Sequence, residues 1–308
     1  MVVKNELNVY IATLPRAGST LLGMILGTHP EVFHVGESSY WGKINPKDTI
    51  CSCGIKGCPI LLRVYDQIAK NFEVESIYRA CSIIDRIEEP NKQYHPLSLP
   101  DGKQKQGEFN QKDLETVLYS SCLGLECISR TFREMTGRRI IVDNTKSIRI
   151  AKKLLEYPRW KVILLLRDPR GMAYSNKKSG QRKGVSRPVS SKISVYKDFA
   201  KRALGLLKKS TLVHFLKYEE ICQDTSGAIR KVCEFLEIEY MQSMLEFKKD
   251  KGHTLMGNRM RLDDNQEIKE DLEWKVGLTK EEKTMLCGDE ELVSLFSQFG
   301  YEISLWEK

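Results

Sequence analysis

The chain has 308 residues, 41% hydrophobic and 29% charged, a balance that can supply a buried core. No run approaches 18 apolar residues, which excludes a membrane-spanning helix, and the N-terminal stretch lacks the basic flank and apolar region of a secretory signal. The net charge of +8, from 49 basic and 41 acidic residues, suits an anionic ligand. Apart from the stretch Arg167–Arg187 the basic residues are dispersed, which argues against a nucleic-acid partner.

The apolar run Val9–Leu14 predicts a strand over 7–14, and the apolar stretch reaching Leu26 predicts a helix over about 18–28. Between them lie Pro15, Arg16, Ala17, Gly18, Ser19 and Thr20. A strand, a tight glycine-bearing turn and a helix aim backbone N–H groups and a helix dipole at one spot, which makes an anion site. Arg16, Ser19 and Thr20 add donors to it; Ser19 alternatively caps the helix. Against the pattern GxxxxGK[ST], this turn is shorter, has one glycine, and carries Arg before it rather than Lys. It suits a single terminal phosphate or sulfate rather than a triphosphate with magnesium.

Residues 29–110 read as a less regular stretch, punctuated by Asn45-Pro46, Glu89-Pro90-Asn91 and Leu99-Pro100-Asp101-Gly102. Near its start come His34, Val35, Gly36 and Glu37. Transfer of a group to a hydroxyl needs a proton acceptor, and Glu37 and His34 are the two candidates. Tyr40 and Trp41 either line a pocket or simply pack. The chain has nine cysteines, an odd number that predicts mostly free thiols in a cytoplasmic protein. Three of them form Cys51-x-Cys53-x4-Cys58, but no fourth ligand is evident and the C-x-C spacing is unusual, so no metal is assigned.

Leu114, Val117, Leu118, Cys122, Leu125, Ile128 and Phe132 recur at helical spacing and predict a helix over about 111–136, ended by Gly137. A short strand at 140–143 precedes a helix at about 147–156. The segment Val142-Asp143-Asn144-Thr145-Lys146 joins them and puts Lys146 at the carboxyl edge of the sheet. Lys161–Leu166 shows no alternation, as expected of a strand buried on both faces. It runs into Arg167-Asp168-Pro169-Arg170-Gly171, where Arg167 and the later Ser175 could clamp a second phosphate. A helix at about 190–209, a strand at 211–216, a helix at 229–236 and short helices over 280–299 follow. Strands alternating with helices imply the α/β class: a parallel sheet flanked by helices, in one domain over 1–308 with an insertion at about 38–110.

The two anion-binding segments, in this order and at this separation, resemble the sulfotransferases that use 3′-phosphoadenosine-5′-phosphosulfate (PAPS). Leu216-Lys217-Tyr218-Glu219-Glu220-Ile221 is similar to the family's RYEDL segment, and His253 with Gly257, Asn258 and Arg261 to a late loop of bacterial members. The resemblance covers roughly residues 7–36, 139–240 and 250–262. It implies a P-loop-kinase-like fold with an inserted lid, and PAPS as co-substrate with no metal required. By it, Arg16, Ala17, Gly18, Ser19 and Thr20 hold the 5′-phosphosulfate, and Arg167 and Ser175 the 3′-phosphate. Gly257, Asn258 and Arg261 complete the nucleotide site. Lys146 neighbours the transferring group, and Glu37 matches the carboxylate base of tyrosylprotein and some carbohydrate sulfotransferases. The Lys-Thr-His segment of the cytosolic steroid and phenol enzymes is missing, which favours Glu37 over His34. Similar Cys-rich turns in bacterial members imply a structural role for the cysteine cluster. The implied acceptor is a small molecule or sugar, and the implied location cytoplasmic. The alternatives are a nucleotide-dependent kinase, against which the missing GK[ST] and acidic metal site count, and a non-catalytic nucleotide-binding protein.

Overall fold

A computed structural model describes residues 5–41, 44–71, 111–208, 210–249, 252–264 and 267–304. Its centre is β1 (Leu7–Thr13), buried at every residue. That burial explains why the strand reads as a continuous apolar run rather than an alternating one. β1 pairs in parallel with β3 (Ile140–Lys146) on one side and β4 (Trp160–Leu166) on the other. β2 (Val32–Gly36) adds to β3 and β5 (Val213–Lys217) to β4, all parallel. Among the described residues the sheet has five strands in the order β2-β3-β1-β4-β5.

Side-chain alternation splits the core in two. Val9, Ile11, Val142, Ile163 and Leu165 join a cluster with α1 (Ser19–Gly27) on one face. Tyr10, Ala12, Ile141, Val162 and Leu164 join a second cluster on the other. That second face is covered by residues of α2 (Pro59–Asn71), α3 (Gln111–Thr136) and α4 (Ile148–Leu154). The order of the remaining helices is α5 (Pro169–Gln181), α6 (Ser190–Leu207), α7 (Tyr218–Gln223) and α8 (Thr225–Leu236). The C-terminal part adds α9 (Trp274–Gly277), α10 (Lys280–Cys287) and α11 (Glu290–Ser297).

The fold departs from the sequence reading in several places, of which three bear on the site. β2 and α2 form inside the stretch read as irregular. β3 runs on through Asp143 to Lys146, with Asp143 and Asn144 buried and Thr145 and Lys146 partly exposed. α5 begins at Pro169, capped by Asp168, whose side chain accepts from the Arg170 N–H at 2.8 Å. Most of the expected insertion, residues 42–43 and 72–110, lies outside the described residues.

Candidate active site

The site gathers at the carboxyl ends of β1, β2, β3 and β4, where open α/β sheets place their ligands. The turn after β1 is built on two left-handed residues, Arg16 (φ 76°) and Gly18 (φ 96°). Gly18 is the N-cap of α1, no side chain caps that helix, and its first turn carries no acidic residue. The hydroxyl of Ser19 is therefore not spent on capping, and Ser19 and Thr20 are buried at the helix start. A side chain at position 18 would place Cβ 2.6 Å from Cδ2 of Tyr218. Tyr218 thus braces the turn.

The segment after β4 packs directly against it. Arg16 Nε donates to Ser175 Oγ at 2.9 Å, and Arg167 Nη1 donates to the Arg16 carbonyl at 3.2 Å. Arg167 also stacks over the Tyr218 ring at 4.6 Å and donates to the Asp271 carbonyl at 2.9 Å. Asp168 and Arg170 form a bidentate pair, with Nη2 2.7 Å from Oδ2 and Nε 3.0 Å from Oδ1. Glu219 accepts from the Asp168 N–H at 2.9 Å and from Tyr301 Oη at 2.9 Å. These contacts make Tyr218, Glu219, Asp168 and Arg170 parts of the scaffold.

Burial lowers the pKa of Arg16, and the charges of Arg182, Arg167 and Arg187 lower it further, with Asp271 opposing. A guanidinium keeps its proton regardless, so the turn concentrates positive charge that an anion would relieve. Arg182, Arg187 and Asp271 were not singled out by sequence reasoning. The signal available for the arginines was the basic run at 167–187.

At the other side of α1, the ends of β2 and β3 bring Glu37 and Lys146 together as an ion pair, each about one-sixth exposed. Lys146 is held at φ 89°, a left-handed conformation unusual for a side-chain-bearing residue. Three of the five non-glycine positive-φ residues among those described lie in these loops: Arg16, Lys146 and Met256. Behind the pair, buried Asp143 accepts from Ser38 Oγ and from the Thr145 N–H, the latter at 2.7 Å. Burial raises its pKa to about 6, with the Glu37 charge adding and the hydrogen bonds opposing.

His34 sits apart from this edge. Its side chain lies under α1 so closely that a Cβ at Gly23 would fall 2.2 Å from Nε2. Burial, assisted by the Lys146 charge, pulls its pKa down to about 4. The imidazole is neutral and enclosed.

The late loop closes over both halves. Leu255 bridges to Gly36 in parallel register, and the Asn258 N–H donates to Thr20 Oγ1 at 3.1 Å. Gly257, at φ 112°, passes so near that a Cβ would meet Thr20 Oγ1 at 3.2 Å and Glu37 Oε1 at 4.0 Å. The Asn258 side chain caps the 3-10 turn Arg259–Leu262. Buried Arg261 carries two N–H groups, at Nε and Nη1, with no hydrogen-bond partner among the described residues. Unspent guanidinium donors in a buried place fit an anionic ligand. Nδ1 of His253 lies 3.4 Å from Cys58 Sγ and 3.8 Å from Cys51 Sγ. The cysteine cluster that showed no fourth partner in the sequence has one in the fold. Trp41 is fully buried, edge-on to Phe132 at 5.4 Å, and packs in the core.

Residues 7–282 match the sulfotransferase domain family. The chain belongs to the sulfotransferase family. Solved sulfotransferases resemble it at low identity. The enzyme STF9 from Mycobacterium avium is 15% identical, with a TM-score of 0.50 over 99% of this chain and 79% of that one. The sulfotransferase domain from the curacin biosynthetic pathway is 15% identical, with a TM-score of 0.49 over 97% of this chain and 99% of that one. Mouse sulfotransferase SULT7A1, complexed with PAP, is 12% identical, with a TM-score of 0.43 over 96% and 89% of the two chains. No curated protein sequence matches the chain. Among the described residues of this sulfotransferase, no helix is long and apolar enough to cross a membrane.

Proposed function

We propose that this sulfotransferase moves a sulfuryl group from PAPS to a hydroxyl or amine of a small-molecule or sugar acceptor, in the cytoplasm, releasing 3′,5′-adenosine bisphosphate. The observation that carries the reading is the contact between two anion-binding segments 159 residues apart, Arg16 Nε to Ser175 Oγ at 2.9 Å. Two phosphate grips that touch fit the two phosphate-bearing ends of one nucleotide. The crowding of Arg16, Arg167, Arg182 and Arg187 and the unspent donors of Arg261 support the same fit.

PAPS supplies the activated group: the bond from the acceptor atom to sulfur forms as the bond from sulfur to the 5′-phosphate oxygen breaks, and that oxygen leaves with the electron pair. Arg16 neutralises charge where the leaving oxygen develops it. Ser19, Thr20 and the N–H groups of Ala17 and Gly18 hold the 5′-phosphate and sulfuryl oxygens. Arg167 and Ser175 hold the 3′-phosphate, and Gly257, Asn258 and Arg261 cover the nucleotide. Lys146 supplies positive charge beside the transferring group. Glu37 takes the acceptor's proton; it stands at the open sheet edge beside Lys146, whereas His34 is enclosed under α1.

Thermal stability measured with 3′,5′-adenosine bisphosphate, and separately with magnesium-ATP, tests the reading. Ligand at about 100 times its dissociation constant adds roughly 2.7 kcal/mol. A selective rise with the bisphosphate is expected. A rise only with magnesium-ATP would replace the reading with a kinase, and no rise with either would remove the nucleotide site.

A further inference from the structure

We propose that Cys51, Cys53, Cys58 and His253 bind a structural zinc ion that fastens the late loop to the rest of the fold. One ligand atom from each of these residues lies within 4.8 Å of all the others. A tetrahedral zinc with Zn–S of about 2.3 Å and Zn–N of about 2.0 Å sets ligand edges of roughly 3.5–3.8 Å. The separations from His253 Nδ1, 3.4 Å to Cys58 Sγ and 3.8 Å to Cys51 Sγ, bracket the roughly 3.5 Å edge between an imidazole nitrogen and a thiolate sulfur. Three thiolates and one imidazole are soft and borderline donors, which select zinc over magnesium or calcium. Four protein ligands fill a tetrahedron and leave no position for substrate, so the ion would be structural.

The backbone is arranged to hold the four ligands. The Cys51 N–H donates to the Ile55 carbonyl at 3.0 Å and the Gly54 N–H to the Cys51 carbonyl at 2.9 Å, which closes a tight turn around Cys53. Cys58 immediately precedes Pro59, the first residue of α2, so the start of that helix fixes its place beside the turn. Ser52, between two of the cysteines, zips the turn to the strand of chain carrying His253. Its Oγ donates to the Gly252 carbonyl at 2.8 Å, its N–H donates to the Thr254 carbonyl at 3.0 Å, and its Oγ accepts from the Thr254 N–H at 2.9 Å.

The consequence reaches the active site. Two residues beyond His253, Leu255 bridges to Gly36, and the Asn258 N–H reaches Thr20. An ion joining the turn at 51–58 to His253 fixes where that loop lands on Thr20 and beside Glu37. The inference rests on the cluster itself and does not depend on which nucleotide the enzyme uses.

The test is the metal content of the full chain, expressed with zinc in the medium, purified without chelator and with any affinity tag removed. One zinc per chain is expected by elemental mass spectrometry, released when the thiols are titrated with a mercurial. Replacement with cobalt(II) should give the visible bands of a tetrahedral site and a near-ultraviolet thiolate charge-transfer band. Cys53→Ser, at the half-buried ligand, and His253→Ala should each lose zinc while circular dichroism keeps the wild-type helical signal. The cobalt spectrum is read on the unaltered chain, so a variant that fails to fold leaves the test intact. A folded chain that carries no zinc and gives no tetrahedral cobalt spectrum would overturn the proposal. So would an iron–sulfur chromophore, or a disulfide among the three cysteines.

Discussion

His34 offers a quantitative check on the packing that builds the site. It lies beneath α1 against Gly23, and its burial sets its pKa at about 4 against an ordinary 6.5. A depressed pKa contributes stability that is present above pH 6.5 and is lost as pH falls through the folded value, because the unfolded chain takes up the proton first. At pH 5 the loss relative to pH 7.5 is about 2 kcal/mol. Neighbouring Asp143 works in the opposite sense. Its pKa is raised from 3.8 to about 6, so its contribution is present below pH 3.8 and lost as pH rises through 6. At pH 5 that returns about 1 kcal/mol to the folded state. The two buried groups nearly cancel, and wild type should show only a small change from this pair. His34→Gln removes one arm. Whatever its absolute stability, the variant should gain about 2 kcal/mol on wild type between pH 7.5 and pH 5. Urea unfolding at both pH values, read as midpoint and slope, measures that difference of differences. A variant whose stability differs from wild type by the same amount at both pH values would show that His34 titrates normally, and the packing against Gly23 would be wrong.

Three further outcomes bear on the chemistry. Arg16→Ala should lower kcat at least about a hundred-fold, the scale of losing one donor aimed at developing charge, with an unchanged circular dichroism spectrum; near-wild-type turnover would remove Arg16 from its role. Glu37→Gln should cut kcat by roughly a hundred- to ten-thousand-fold while the dissociation constant for 3′,5′-adenosine bisphosphate stays within a few-fold. If calorimetry shows affinity falling as far as turnover, Glu37 is a binding residue instead. Gly18→Ala forces a side chain into a φ of 96° and against Tyr218, 2.6 Å from its nearest ring carbon. It should abolish the bisphosphate's thermal stabilisation, whereas a wild-type shift would mean the turn is not the phosphate site.

The local and periodic features of this protein are legible in its amino-acid order. Val9–Leu14 and Lys161–Leu166 announced buried parallel strands, since a strand covered on both faces has no polar face to alternate. Pro15 to Thr20 announced a tight turn into a helix, since the glycine and the helix start that follow it are written consecutively. β2 escaped, being five residues long with a histidine at its middle, and only pairing with β3 makes it a strand. α5 escaped as well, because polar residues such as Asn176, Lys177 and Lys178 thin its apolar pattern. What the tertiary structure alone decided is every contact between distant segments. Glu37 and Lys146 carry no shared pattern and meet because β2 pairs with β3. His34 is enclosed because its ring fills the space that Gly23 leaves, whereas Glu37 lies just past the end of β2. His253 and the three cysteines are about two hundred residues apart, and no spacing rule connects them. They meet where the Ser52 hydroxyl and N–H bond to the backbone of the late loop, a pairing encoded in both segments and in neither one alone.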